Sequence, residues 1–415
     1  MTPEVKERIE QLRHGIVPEG YKRTKAGIYP EDWTEYTLGD IYTERKEPGN
    51  ESLPLLMVSI HSGVSDGEVD EADLPKKVKR IEDKSQYKRA ATGDLVFNMM
   101  RAWQGAIGTV RTEGMVSPAY IVAEPNKLVD PLFMDYLMRT PRMVGTIHKQ
   151  SYGVTDFRLR LYWDSFAPIH CVLPSVPEQK KIGQAVDIQN KVIELKEKLL
   201  AEKQRQKKYL MQQLLTGKIR LPGFSGEWKK TKLKTLLKER KTYSPKGAEY
   251  PHVTLSTEGI YAKSERYDRD HLVKDEEKEY KITHKGDICY NPANLKFGVI
   301  CINNFGDAIF SPIYVTFEVV GKVSSEFLSN YLMRWDFINA VRKYEEGTVY
   351  ERMAVKPEDF LKFEMMLPPY EEQVAIAEIL AVADREIELI KQEIEQEKLK
   401  KKALMQLLLT GIVRV

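Results

Sequence analysis

The chain has 415 residues, of which 42% are hydrophobic and 30% charged, and its formal net charge is +3. That length exceeds what one hydrophobic core usually supports, so two or more domains are expected. The composition excludes a disordered or collagen-like chain. A net charge this small names no partner, and basic residues have to be sought where they cluster. The three cysteines, Cys171, Cys289 and Cys301, are odd in number and lack Cys-x-x-Cys spacing, which argues against disulfides or a zinc site and fits a reducing compartment.

In chain order, residues 1–20, beginning "MTPEVKERIEQLRHG", read as a charged helix and lead-in segment rather than a signal peptide. No apolar run reaches the roughly 18 residues that would span a bilayer, so a cytoplasmic location without membrane association is expected. Residues 21–175 mix short alternating apolar runs with Gly, Pro and Asn punctuation, plus a helix around "FMDYLMR", the texture of an α+β globular domain. Residues 176–217 have no proline after the opening turn and are rich in Lys, Glu, Gln, Leu and Ile, which predicts one long helix closed by Thr-Gly. Residues 218–369 return to the mixed texture, and 370–415 repeat the long helix.

The succession is an internal repeat. "LMQQLLTG" (210–217) and "LMQLLLTG" (404–411) share seven of eight letters. "EDWTEYTLGDIYTERK" matches "GEWKKTKLKTLLKERK", "GDLVFNMMRAWQGAIG" matches "GDICYNPANLKFGVIC", "YLMR" recurs at 136 and 331, and "LPSVPEQ" parallels "LPPYEEQ". All these matches lie at offsets of 193 to 195 residues, so the chain is two equivalent units. The expected fold class is α+β: two similar globular α/β domains separated by two long antiparallel coiled-coil helices, related by a pseudo-twofold internal repeat.

Positions 376, 380, 383, 387, 390, 394, 397, 401, 404 and 408 step by 4 and 3 and read as a coiled-coil seam with a polar interruption at Glu397 and Lys401. The first helix carries a weaker seam through Ile182, Val186, Gln189, Ile193 and Lys196. Residues 177–221 hold nine lysines and two arginines against five acids, whereas 371–415 hold seven bases against nine acids, so the two helices suit pairing with each other. If the first helix carries the chain from one domain to the other, the second must carry it back, which makes them antiparallel.

No glycine-rich cofactor loop, Walker sequence, His-Glu-x-x-His or Gly-x-Ser-x-Gly occurs. "NPAN" (291–294) hints at the Asn-Pro-Pro-aromatic element of adenine methyltransferases, but it lacks the second proline and the aromatic, and a turn after the strand "GDICY" explains it better. Binding chemistry is better represented. "NMMRAWQG" offers Arg101, Trp103 and Gln104, and its counterpart "NPANLKFG" offers Asn294 and Lys296. "TIHKQSYGVTDFRLRLYWD" offers Lys149, Gln150, Ser151, Tyr152, Arg158 and Arg160. Its counterpart "AVRKYEEGTVYERM" offers Arg342, Lys343, Tyr344, Thr348, Tyr350 and Arg352. Basic, amide and aromatic side chains interleaved on loops suit phosphate contacts and base reading; a solvated basic loop with a half-buried aromatic is the plainer account of any single residue.

"GYKRTKAGIYPEDW", "NMMRAWQGAIG", "GVTDFRLRLYWDSF", the "LP...EQ" helix starts and the "LLTG" helix ends together resemble the specificity subunit of type I restriction-modification systems, over essentially the full chain. That resemblance implies a non-catalytic subunit with two target recognition domains, each reading one half of a split sequence in double-stranded DNA. It implies helices that act as a ruler and as docking surface for two methyltransferase subunits, with a restriction/translocase subunit added for cleavage. S-adenosylmethionine is then expected on the methyltransferase partner, and no cofactor on this chain. A related system with a fused methylase-nuclease partner is the nearest alternative; a coiled-coil scaffold without DNA and a stand-alone adenine methyltransferase are the others.

Overall fold

The computed structural model describes residues 2–50, 52–60, 63–65, 86–155, 158–245, 249–263, 279–344 and 354–415. It divides into two compact units. One contains residues 1–197 and 393–415, the other residues 198–392. Each unit therefore takes part of each long helix, Val176–Leu214 and Tyr370–Leu408.

The repeat is visible in the sheets. The first unit holds a four-stranded antiparallel sheet in the order Tyr42–Arg45, Tyr120–Pro125, Leu95–Asn98, Ile107–Thr109. The second holds Leu237–Glu239, Val315–Val319, Ile288–Tyr290, Ile300–Ile302 in the same order. In each, the "Gly-Asp" pair opens a sheet strand for a physical reason. Gly93 and Gly286 adopt φ of +96° and +92°, where a side chain is strained. The following carboxylates take charged hydrogen bonds from an arginine on the neighbouring strand's end, Arg45 Nε to Asp94 at 2.8 Å and Arg240 Nε to Asp287 at 2.9 Å.

The "EQ" dipeptides tie the long helices to these domains. Gln179 accepts from the Asp130 amide at 2.8 Å and donates to the carbonyls of Leu128 and Pro174. Gln373 accepts from the Ser324 amide at 2.9 Å and donates to Pro368 O. Asp130 and Ser324 are the N-caps of the equivalent helices Pro131–Met138 and Ser325–Leu332, so one buried amide fixes two helix starts at once.

The "LLTG" phrase is a left-handed helix end: Gly217 and Gly411 have φ of +68° and +70°, and the amides of Ile219 and Val413 reach back to Gln213 O and Leu407 O. The turn then delivers an arginine to the start of the other long helix. In the first unit Arg414 bonds both Glu178 (2.6 Å) and Asp32 (2.9 Å) and lies over the Trp33 ring. In the second, Arg220 bonds both oxygens of Glu372 at 2.6 and 2.7 Å and lies over Trp228. Arg8 donates to Ile412 O and Tyr21 to Gly411 O, which ties the N-terminal helix Pro3–Arg13 to the chain's last turn.

Within the first unit the long helices pair Gln189 with Glu397 at 2.7 Å and Lys196 with Glu393 at 2.6 Å. Within the second they pair Lys203 with Glu386 at 2.7 Å and Lys207 with Asp384 at 2.5 Å. Numbers rise along one helix as they fall along the other, so the helices run antiparallel, and cations of the first meet acids of the second. The expected polar interruption at Glu397 is a side-chain bond to Gln189 across the seam. Seam positions Ile182, Val186, Ile376, Leu380, Ile387 and Ile394 are buried. The first unit's core joins Ile182 and Val186 of one helix and Leu408 and Leu409 of the other to Phe97, Phe133 and Phe166. The second joins Leu214, Leu215, Ile376 and Leu380 to Tyr290, Phe317, Phe327 and Phe360.

Candidate nucleic-acid interface

In the first unit the candidate residues come from three neighbouring pieces of chain. The strand Leu95–Asn98 ends in a turn where Asn98 Oδ1 accepts from the Met100 amide at 2.9 Å. A short 3-10 helix, Ala102–Gln104, follows and closes on Gly105 at φ +99°. This turn exposes Met100, Arg101 and Gln104, while Ala102 anchors it in the core. Trp103 is half-buried: its indole N–H donates to Met100 O at 3.0 Å, and its ring lies 5.5 Å from that of His148 on the helix Pro141–Gln150. That contact places Arg101 and Gln104 beside the exposed Lys149 and Gln150.

The third piece follows directly. Tyr152 and Arg160 exchange backbone hydrogen bonds at 3.1 and 3.0 Å, which braces the loop between them, and the Leu161 amide donates to Met99 O at 2.9 Å, docking the loop against the turn. Tyr152, Arg158 and Arg160 are exposed, with the Tyr152 and Tyr162 rings 5.3 Å apart. Ser151 does not share this surface: it is 8% exposed and its hydroxyl donates to Ile147 O at 2.8 Å, because it ends the helix and turns back on it. Two exposed apolar side chains that charge and amide patterns did not flag lie here instead, Val154 at 97% and Met100 at 47% exposure; an apolar residue at a loop tip next to glycine was the available signal.

The second unit builds the same frame with other side chains. Asn291 Oδ1 accepts from the amides of Ala293 and Asn294, so "NPAN" is an Asn-capped turn, with Asn291 itself 6% exposed. A 3-10 helix, Leu295–Phe297, closes on Gly298 at φ +81°. Asn294 and Lys296 are half-buried; the Lys296 ammonium lies 5.3 Å from the centre of the Phe297 ring, and Phe297 is 60% exposed. The helix Trp335–Val341 runs into Arg342, Lys343 and Tyr344, all exposed. The Val355 amide donates to Pro292 O, the counterpart of the Leu161 to Met99 bond. Thr348, Tyr350 and Arg352 lie outside the described residues.

A family model for the type I restriction modification DNA specificity domain matches residues 226–398. The type I restriction enzyme MjaVIII specificity subunit of Methanocaldococcus jannaschii is 23% identical over 96% of this chain and 96% of its own length. The EcoBI specificity subunit of Escherichia coli is 29% identical over 39% of this chain and 35% of its own. The crystal structure of a type I system S subunit from M. genitalium superposes with a TM-score of 0.54 at 10% identity, covering 91% of this chain and 96% of that one. The chain belongs to the type I restriction-modification DNA specificity family.

A specificity subunit is the non-catalytic, DNA-recognising component of its enzyme, and the exposed surface in each unit has the chemistry for that task. Arg101 and Gln104 carry the donors and acceptor that match guanine and adenine edges, and Lys149, Arg158 and Arg160 are free for phosphates. Among the described residues no cluster of His, Cys, Asp and Glu could hold a metal ion. No described helix is long and apolar enough to cross a membrane.

Proposed function

We propose that this specificity subunit reads a bipartite sequence in double-stranded DNA through two target recognition domains, residues 21–175 and 218–369. Arg101, Trp103, Gln104, Lys149, Gln150, Tyr152, Arg158 and Arg160 face one half-site; Asn294, Lys296, Arg342, Lys343 and Tyr344 face the other. One observation carries this reading: the same strand, Asn-capped turn, 3-10 helix and following helix recur in each unit, while the exposed side chains differ. A conserved frame with changed loop chemistry suits two half-sites of different sequence.

The paired long helices set the gap between half-sites as a distance. Each has 39 residues, about 58 Å at 1.5 Å per residue, more than enough to place two contact surfaces about one DNA turn, roughly 34 Å, apart. The same helices dock two methyltransferase subunits, which bring S-adenosylmethionine and flip the target adenine out of the stack; a restriction/translocase subunit joins for cleavage. Methylome sequencing of a host carrying the intact system tests this directly: the modified motif should be two short sequences separated by a fixed, unspecified gap. A single continuous motif refutes it.

A further inference from the structure

Beside the candidate DNA surface, the first unit contains a cleft of about 1340 Å³ between the helix Pro141–Gln150 and the last turns of the second long helix. Its floor is apolar, formed by Leu137, Met143, Ile193 and Met405, and no aspartate or glutamate lines it. Lys25, Arg142, Lys149, Lys401 and Lys402 line it too, and among the described residues none of these five cations has a carboxylate at ion-pair distance. Lys401 is half-buried, its ammonium pKa lowered by burial and by the nearby Arg139 guanidinium.

The repeat shows how the space arises. Arg139 folds back onto Asp135 at 2.9 Å, whereas its counterpart Arg334 in the second unit reaches the long helix and donates to Leu215 O at 3.2 Å. Arg142 corresponds to Phe337, a core residue, and Lys401 to Lys207, which is paired with Asp384. The first unit thus leaves open, and lines with unpaired cations, a place that the second unit bridges.

We infer that this cleft receives one amphipathic α-helix of the methylating partner, with its apolar stripe on the Leu137–Met405 floor and acidic residues against Lys25, Arg142, Lys401 and Lys402. The inference rests on the reading under Proposed function that such a partner docks here. Size favours a helix: a cylinder about 10 Å wide filling about 1340 Å³ is roughly 17 Å long, or about eleven residues. Duplex DNA, whose major groove alone is about 12 Å wide, is too broad to enter. An apolar floor under a charged rim is the pattern of helix-in-groove recognition, and the uncompensated cations supply the complementary field for an acidic one.

The test mixes the full-length subunit with the methyltransferase subunit encoded beside it. A zero-length carbodiimide should join Lys401 or Lys402 to aspartates or glutamates of one partner helix, mapped by mass spectrometry. K401E/K402E should weaken binding of one of the two partner copies by about tenfold or more, seen as a shift from two copies to one by native mass spectrometry. Unaided DNA binding and the melting temperature of the free subunit should be unchanged. K401Q/K402Q, which removes charge without reversing it, should show a smaller loss in the same direction. Full two-copy assembly by K401E/K402E overturns the cleft assignment while leaving the proposed function standing. Intact assembly with weakened DNA binding and a shallower salt dependence would make the cleft a phosphate track and also overturn it. If the unaltered subunit binds no methyltransferase at all, the proposed function falls first and the cleft assignment with it.

Discussion

Removing one heptad from each long helix tests whether the helices act as a ruler. Residues 197–203 and 386–392 face one another: Lys196 pairs with Glu393 at one end of the segment and Lys203 with Glu386 at the other. Seven residues are two coiled-coil turns, so deleting both segments keeps the seam in phase, Lys196 still meets Glu393, and no helix face rotates out of register. The lost length is about 10.5 Å, equivalent to about three base pairs at 3.4 Å each. The preferred gap between half-sites should therefore shorten by about three base pairs in the methylome of a host carrying the altered subunit. Because about three base pairs also rotate the duplex by roughly 100° at 10 to 10.5 pairs per turn, affinity for the new optimum should fall below that of the original pair. Gel shifts on duplexes with stepped gaps would resolve both effects. An unchanged optimum, with methylation retained, would show that something other than helix length fixes the spacing.

Arg101→Ala or Gln104→Ala should weaken binding to the first half-site by about 1 to 3 kcal/mol and leave the second half-site unaffected; equal losses on unrelated DNA would make them phosphate contacts. Arg240→Ala strands the Asp287 carboxylate, which is 4% exposed, and should cost about 3 kcal/mol in urea unfolding, with partial recovery when Asp287→Asn is added; no change would deny the pair a structural role. The buried Cys171 and half-buried Cys301 thiols are each pushed up to about 12 by burial. Native thiols then hold protons that the unfolded chain releases above its ordinary value of about 8.5. Their contribution to stability is thus complete below about pH 8 and fades as pH climbs toward 12. Unfolding midpoints should fall between about pH 8.5 and pH 10.5, less steeply in Cys171→Ala; an identical slope in that variant would refute the assignment.

Features that depend on local chain geometry were legible in the sequence. Gly-Asp before a strand, Asn before a tight turn and Thr-Gly at a helix end each encode a backbone conformation or a short-range hydrogen bond, and the structure uses them so at 93–94, 98, 216–217 and their counterparts. The helix seam was legible too, since a strict 4-3 spacing admits one buried stripe. Side-chain direction was not. Ser151 sat among exposed polar residues, yet the end of the helix turns its hydroxyl inward; Phe297 and Val154 carry no charge or amide to draw attention, yet they are exposed. The cleft was illegible because it depends on whether an arginine folds back, as Arg139 does, or reaches across, as Arg334 does, within the same "YLMR".

The recurrence of one phrase at the two helix ends has a consequence that counting repeats does not show. The sequence repeat would divide the chain near residue 217, but the compact units divide it near 197 and 393. The first unit closes only when Arg414, from the end of the second helix, meets Glu178 at the start of the first. The second closes only when Arg220, from the end of the first helix, meets Glu372 at the start of the second. Those partners are 236 and 152 residues apart in sequence. Each repeat therefore carries a helix start that its own unit uses and a helix end that the other unit uses. Substituting either arginine acts on a unit whose remaining residues come mostly from the other repeat, and selection for closing both units keeps "LLTG" and its trailing arginine alike in both places while the exposed loops between them are free to diverge.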